Sequence, residues 1–543
     1  MIREDNRIIH YLIILIVCLF AFFVNNQVIP ADLMESRNLA TAQEMVHEKN
    51  YLTPTMNGEL RLEKPPLPTW IAAGVEILKP ESLITQRYMA GLSATLMVFF
   101  LFFIVSRLTR NNNVGLLSAL VLATCFNVVL MGRTATWDIY CHSFMLGAIY
   151  FLILAFEKRG RQWKWFILSG LFMGLSFLSK GPVSFYALLL PFLVSYIVVF
   201  RPSARGKIIP LCSMIVVCLV VSFWWPLYIM EFHPEMGLAV ADKESSSWLN
   251  HNVRPFYYYW QFPVEAGIWC LFWVTSLIWF FCKKDQRYRQ VFKFSVIWTL
   301  AALILLSIIP EKKTRYLLPM LIPGAINIAI YFYESIRSLN NKGEKVVFKI
   351  NSVLIGLVLL ALPVALYIVF VKENLETMTM FIITSVISVA LACLIFVSVF
   401  NRKGVRVVSV FTCIVLTMIM IEGLCMIPIG NMFINEDRHS IRMLRNNEEV
   451  KNLPFFYNQD EEIRMELVYE ANRIIRPLDA DNDSLILRNT PFVFVSGLPI
   501  DSLFKDKDVS IEHIDTFDNN WRKTDHKRHN KNLVREVAVI RRK

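Results

Sequence analysis

Apolar runs of about bilayer length recur along this chain, and they restrict it to a polytopic membrane protein. About 20 apolar residues in a helix cross the hydrocarbon core of a bilayer. Thirteen such runs are read, at about 8–28, 87–106, 113–131, 139–156, 165–179, 182–200, 207–230, 265–282, 292–309, 316–334, 348–371, 378–400 and 406–427. The composition agrees: of 543 residues, 55% are hydrophobic and 18% charged, against about 45–50% and about 25% in soluble domains. The first run is too long for a cleaved signal, and Asn25, Asn26 and Gln27 follow it where a small-residue cleavage site would stand. The expected fold is an all-α polytopic membrane domain of about 13 helices over 1–429. Outer loops at 29–86 and 232–264 and a soluble α/β domain at 430–543 complete it. In the tail a helical pattern runs from Glu461 to Ile475, and Phe492 to Val495 and Val537 to Ile540 read as strands.

Charge sets the orientation. Alternate loops carry dense Lys/Arg sets, including Arg107 and Arg110; Lys158, Arg159, Arg161 and Lys164; Arg201, Arg205 and Lys207; Lys283, Lys284 and Arg287; and Arg402, Lys403 and Arg406, with Arg3 and Arg7 before the first span. With thirteen spans all of these share one side, which the positive-inside rule makes cytoplasmic. The N-terminus is then inside, and the tail lies outside; the resemblance described below implies the periplasmic side of a bacterial inner membrane. The net charge of +12 is largely loop charge and implies no nucleic-acid partner. The ten cysteines lie in or beside spans, which implies no disulfide framework. His526, His529, Asp515 and Asp518 in the tail show no ligand spacing and read as solvated surface.

Ionisable residues collect on the other side. The segment after the first span, ADLMESRNLATAQEMVHEKNYLTPTMNGELRLEKPPLPTW, gives Asp32, Glu35, Arg37, Glu63 and Lys64. GRTATWDIYCHSF gives Arg133 and Asp138, LSKGP gives Lys180, the 232–264 loop gives Glu244, His251 and Arg254, and PEKKTRYLLP gives Glu311, Lys313 and Arg315. Cations there run against the positive-inside bias, which ligands for an anion would explain. Lys and Arg suit a phosphate or pyrophosphate. Carboxylates beside it suit a base or support for developing positive charge. Glu63 and His251 are ligand types for a divalent ion. Plainer readings exist for each: an interfacial loop for the first segment, a helix N-cap for Asp138, snorkelling for Lys180, a backbone hydrogen bond for His251, and an aromatic belt for Tyr257 to Trp260.

These segments resemble a known family. E-S-R followed by L-E-K-P-P-L-P-T-W is similar to the GT-C membrane glycosyltransferases, especially bacterial aminoarabinose transferases acting on lipid A, within the protein O-mannosyltransferase superfamily. T-W-D-x-x-x-x-x-F at Asp138, S-K-G-P at Lys180, H-x-x-x-P-F-Y-Y-Y at His251 and K-T-R-Y-L-L-P at 313–319 follow in family order. The resemblance implies a sugar donor on a polyprenyl-phosphate carrier and an envelope acceptor, lipid A first and protein second. Arg37, Lys64 and Lys180 would then face the carrier phosphate, joined by Lys313 and Arg315 from the reading above. Glu63 and His251 would hold a divalent metal, zinc or similar, and Asp138 would match a functional aspartate. One departure stands out. The family has Asp-Glu-x-Arg in the first loop, and here Met34 replaces the aspartate, leaving Asp32 or Glu35 for the carboxylate role. Rival readings are a lipid-linked-sugar transporter, which would place charges at mid-membrane in two related halves, and a non-catalytic subunit of an envelope complex.

Overall fold

The structure, a computed structural model, describes residues 6–283, 287–339 and 341–543, without the side chains of six residues between 241 and 249. Arg3, Lys284 and the Glu244 side chain lie outside what is described. The chain divides into two compact units. One holds Met1–Asn26, Glu63–Leu67 and Arg87–Ile429; the other holds Gln27–Leu62, Pro68–Gln86 and Gly430–Lys543.

The first unit is helical. Among the described residues nine helices are long and apolar enough to cross a membrane, and a bent pair makes ten. The bent pair, Asn112–Ala123 and Phe126–Gly132, occupies the single span expected at 113–131. Its axis turns by 68° where Cys125 leaves helical geometry, and Trp269 Nε1 donates to Thr124 Oγ1 at the break (2.9 Å). The other three expected spans, 8–28, 165–179 and 182–200, fall on Arg7–Phe23, Trp163–Lys180 and Phe185–Phe200. These three fall short in length or apolarity, so thirteen is not reached by those criteria.

Large apolar side chains on Ile208–Phe232, such as Ile215, Val216, Leu219 and Val220, are exposed. In water they would aggregate; beside lipid they are at home. Thr314–Ser338 is instead buried continuously from Tyr316 to Ser335. The 163–180 helix meets 208–232 through Gly170 and Gly174, one helical turn apart. A Cβ at Gly170 would lie 2.3 Å from the Met214 carbonyl oxygen, so only glycine permits this approach.

The basic loops are tied to one another. Lys207 Nζ donates to the carbonyls of Ala155, Phe156 and Lys158 (2.7–2.8 Å), groups that the end of a helix leaves unpaired. Arg107 pairs with Glu157 and Lys283 with Glu344. Asp138 begins the helix that Glu157 ends, so it lies at the opposite end from these loops.

The second unit is built on a five-stranded sheet. After a short hairpin, β1 (Thr55–Met56) and β2 (Glu59–Leu60), come β3 (Phe455–Asn458), β4 (Ile475–Leu478), β5 (Phe492–Ser496), β6 (Val509–Asp518) and β7 (Val534–Arg542), in the order β4-β3-β5-β7-β6. β3 runs parallel to β4 and β5, while β7 runs antiparallel to β5 and β6. Alternation sends Val493 and Val495 to one apolar layer and Phe492 and Phe494 to the other, so both faces are covered. The helix expected over 461–475 is Met465–Ala471 only. Asn472 takes a left-handed conformation (φ 51°) and ends it, and β4 starts at Ile475.

The segment expected as an outer loop is ordered. Leu33–His47 is a helix capped by Asp32, and Leu67–Leu78 is another. Asn57 pairs with the Ile475 backbone both ways: its Nδ2 donates to the carbonyl (2.6 Å) and its Oδ1 accepts from the amide (2.7 Å). The compact unit around the tail therefore takes in much of 27–86 as well.

Within this unit Glu81 pairs with Arg445 and, at 3.4 Å, with Arg442, and accepts from Asn472 Nδ2 (3.1 Å). Burial would raise its carboxyl. The Arg445 charge and hydrogen bond, with Asn472 and Arg442, outweigh it and hold the group below its ordinary value. Arg445 is lowered by burial, against the Glu81 charge. A depressed carboxyl stabilises the fold fully above the usual carboxylate range, near pH ~4, and loses that contribution as pH falls through its folded value. Thermal midpoints measured from pH 7 to pH 3 should therefore fall more steeply for the wild type than for Glu81→Gln. Parallel curves would remove this pair as a source of acid lability.

Candidate active site

In the first unit the chemistry centres on Asp138 and Lys180. Asp138 sits in the first turn of Trp137–Glu157, and Lys180 ends Trp163–Lys180. The local sequence dictates this. Gly181, at φ 66°, stops the second helix and Pro182 cannot continue it. A carboxylate at a helix start and an ammonium at a helix end each suit the helix dipole. The two side chains form a direct ion pair, and the residues are 0% and 8% exposed. The plainer sequence readings fail here. Thr136, not Asp138, is the N-cap, and Lys180 turns inward to Asp138 instead of snorkelling.

The remaining partners come from the 310–316 turn. The Tyr316 ring takes Lys180 Nζ at 5.1 Å and Lys313 Nζ at 5.7 Å from its centroid, cation–π geometry in both cases. Lys313 also pairs with Glu311, and the Arg315 charge acts on both Asp138 and Lys180. The turn is stitched to the loop before it. Lys312 N donates to the Asn252 carbonyl (3.2 Å), Arg254 N donates to the Pro310 carbonyl (3.3 Å), and Val253 bridges Glu311. Tyr259 is buried and its hydroxyl accepts from Lys313 N (3.0 Å), so this member of the expected aromatic belt is internal. Tyr257 and Trp260 are exposed as a belt requires. Beside the Asp138–Lys180 contact, Asp138 Oδ2 and both ring nitrogens of fully buried His142 have no hydrogen-bond partner among the described residues.

The structure thus brings together Asp138, Lys180, Lys313 and Arg315 of the residues singled out in the sequence. Tyr316 and His142 were not singled out. His142 stands one turn after Asp138, a spacing that puts both on one helix face, and Tyr316 lies inside the quoted KTRYLLP.

The other candidates stand as follows. Arg133 is bound to the carbonyls of Phe20, Ala21 and Val24 and to Glu422 (2.9 Å), a packing role. Glu63 pairs with Lys243 (3.0 Å), His251 is exposed and Lys64 is half-buried. No group of three His, Cys, Asp or Glu side chains is placed to hold a metal ion among the described residues. Glu63 and His251 supply two donors at most, short of the three or four protein ligands usual for zinc. Asp32, Glu35 and Arg37 belong to the second unit. Asp32 is exposed and accepts from Glu35 N (2.8 Å), Glu35 is fully buried, and Arg37 is half-buried with its Nε unpaired among the described residues.

Comparison with known proteins gives three findings. Residues 63–225 match the family described as dolichyl-phosphate-mannose-protein mannosyltransferase. An undecaprenyl phosphate-alpha-4-amino-4-deoxy-L-arabinose arabinosyl transferase of Serratia proteamaculans is 26% identical over 337 residues, 60% of this chain and 58% of that protein. One of Shewanella sediminis is 25% identical over 368 residues, 64% of each chain. The match thus spans less than two thirds of these relatives' length. The structure of ArnT from Cupriavidus metallidurans bound to undecaprenyl phosphate has the same fold, with a TM-score of 0.70 at 17% identity over 97% of both chains. The chain thus has the fold of that membrane protein, and residues 63–225 match the mannosyltransferase family.

Proposed function

We propose that the chain transfers a sugar from a polyprenyl-phosphate carrier, undecaprenyl phosphate in bacteria, to an envelope acceptor on the periplasmic face. The N-terminus is cytoplasmic in this reading. The observation that carries it is the buried Asp138–Lys180 pair with Lys313, Arg315 and Tyr316 around it, at the end of the helices remote from the basic loops. In transfer, an acceptor oxygen bonds to the anomeric carbon as the bond to the carrier phosphate breaks. The carrier leaves as polyprenyl phosphate, gaining one negative charge. Fixed cations stabilise that charge best, because they need no reorganisation as it forms. Lys64, Lys313 and Arg315 are the proposed phosphate contacts, and Asp138 holds Lys180 in place.

The acceptor proposed first is a phosphate group, as on lipid A. Such an oxygen is already ionised at neutral pH and needs no strong base. This suits a first segment in which Met34 replaces the family aspartate, Glu35 is fully buried, and exposed Asp32 already caps a helix. A hydroxyl acceptor would need Asp32 as its base. A divalent ion at Glu63 and His251 is proposed on the sequence alone, and elemental analysis of purified protein decides it. No step above depends on it.

The test compares envelope lipids and glycoproteins by mass spectrometry with and without the protein. A sugar mass on lipid A that disappears with the gene supports the proposal. Intact carrier binding with no modified product would indicate a non-catalytic subunit instead. Lys64→Ala should lower turnover about 100-fold with an unchanged thermal midpoint, the scale of losing one preorganised donor. Wild-type turnover would remove Lys64 from the site.

A further inference from the structure

A closed basic loop stands out in the second unit. It runs from Asn520 to Asn530, and these two asparagines close its neck. Asn520 Nδ2 donates to the Asn530 carbonyl (2.9 Å), and Asn530 N donates to Asn520 Oδ1 (2.8 Å). Inside the neck the chain makes two tight turns. His526 N donates to the Lys523 carbonyl (3.0 Å) and His529 N to the His526 carbonyl (2.8 Å). Compact surface loops with joined ends frequently carry function.

A second set of bonds straps this loop to the segment that leaves the last apolar helix. Arg522 Nη1 donates to the Met432 carbonyl (3.3 Å), and its guanidinium lies over the Phe433 ring, 4.6 Å from the centroid. Asn435 Nδ2 donates to the carbonyls of Asn520 (3.2 Å) and Arg522 (3.4 Å). Met432 directly follows Asn431, where the helix Val407–Asn431 ends. The other end of that helix follows Arg402, Lys403 and Arg406, which hold it at the opposite interface. Its 25 residues make about 37 Å of helix. That exceeds the ~30 Å hydrocarbon core and falls short of the ~40–45 Å that includes the headgroups. Met432, and the loop bonded to it, therefore lie at headgroup depth.

Charge selects what the loop meets there. Lys523, Lys527, Arg528 and Lys531 are exposed and make no ion pair among the described residues. Asp525 is the one acid between Arg522 and Lys531. The strap's own acids, Glu436 and Asp437, come after Asn435, further along the chain from the helix end. Arg522, Asp525, His526, Lys527 and Arg528 line an open cleft together with Met432. Ile434, in the same strap, is 64% exposed. Cations beside an exposed apolar side chain are the two parts of an interfacial anchor. The pull of an anionic surface on cations reaches one Debye length, ~8 Å at physiological salt, so it needs the proximity that the strap supplies. On the side proposed for the tail these cations run against the positive-inside bias, so topology does not account for them. We propose that the 520–531 loop docks the second unit on the bilayer by binding the headgroups of anionic phospholipids.

The experiment uses the full-length protein in nanodiscs of phosphatidylcholine alone, or of phosphatidylcholine and phosphatidylglycerol in equal parts. Hydrogen–deuterium exchange read by mass spectrometry makes the measurement. The amides of 521–533 should exchange about tenfold more slowly in the anionic discs, and high salt should shrink the difference. The variant Lys523→Gln/Lys527→Gln/Arg528→Gln/Lys531→Gln should lose the difference, while Asp525→Asn should enlarge it. Exchange of β5 identifies a variant whose sheet fails to fold, and the single Asp525→Asn change keeps the test open in that case. Equal exchange of the wild type in the two discs overturns the proposal. So does protection that the fourfold variant retains. Protection that inorganic phosphate reproduces in phosphatidylcholine discs would mark a small-anion site and overturn it as well. No sugar substrate enters the measurement, so the docking surface stands or falls apart from the transferase reading.

Discussion

Lys180→Ala should leave a poorly folded and inactive protein, and so should Asp138→Asn. Either change strands one buried charge, which costs about 3–5 kcal/mol when a buried pair loses a single member. The double variant Asp138→Asn/Lys180→Met removes both charges at once. It should recover most of the thermal stability, because replacing a whole buried pair by neutral groups is often close to neutral. Turnover should not recover with it. If the pair sets the field around the leaving phosphate, the double variant should stay at least about 100-fold slower than the wild type. Melting temperature and single-turnover rate of the three variants make the measurement. A double variant that folds and transfers at the wild-type rate would reduce the pair to a packing feature. His142, fully buried beside it, adds a charge only if protonated, so all comparisons belong at one pH.

Gly170→Leu should be the most damaging apolar substitution in the first unit. The neighbour of Gly170 is backbone, not a side chain that can rotate away. The Met214 carbonyl oxygen would be 2.3 Å and its carbon 3.1 Å from the new Cβ. The 208–232 helix must therefore move as a body. Overpacking usually costs about 1–3 kcal/mol where side chains can adjust, and a rigid backbone neighbour puts this site at or above the top of that range. Gly174 repeats the problem one turn later, where a Cβ would sit 2.5 Å from the Val221 Cβ. The spacing is that of small-residue helix contacts in bilayers, where packing replaces the missing hydrophobic drive. Gly181→Ala offers a contrast. Nothing lies within 4 Å of its Cβ position, so its cost is limited to a φ of +66°. Thermal unfolding and monodispersity should rank Gly170→Leu as worst, Gly170→Ala next and Gly181→Ala mildest. Since the 163–180 helix carries Lys180 at its end, turnover should follow the same ranking. A Gly170→Leu protein that melts like the wild type would mean that the two helices are not in this close contact.

Hydropathy located the helices because lipid contact and helix burial both demand long apolar runs. The same signal could not show that 113–131 bends by 68°, because the break rests on the geometry at Thr124 and Cys125 and on a bond from distant Trp269. Nor could it place 27–86 largely with the tail. That depends on contacts such as Asn57 with Ile475, 418 residues apart. The helix over 461–475 overran for a local reason: apolar spacing continues past Ala471, but Asn472 turns left-handed and the chain becomes a strand. At the site, motif order singled out Asp138, Lys180, Lys313 and Arg315 by charge type and by their place in the sequence. It missed Tyr316, since an aromatic residue in a membrane-edge motif is most simply a belt residue, and it missed the mutual burial of Asp138 and Lys180. Charge type is legible in a sequence; which charge neutralises which is a matter of packing.

The buried Thr314–Ser338 helix has a consequence for biogenesis. Its Asn327 is wholly enclosed and hydrogen-bonded to Ser295 and Thr299. Its Phe332 ring packs against Trp269, Phe348 and Phe411 at 5.2–5.8 Å. Those partners leave the ribosome both before and well after the helix itself. During insertion this segment must therefore wait in an incomplete bundle until Phe411 arrives. A chain released before that point would present the Phe332 face to lipid or to an insertion factor. The turn bearing Lys313, Arg315 and Tyr316 hangs from the start of the same helix. Its final setting is thus one of the later events in the maturation of the protein.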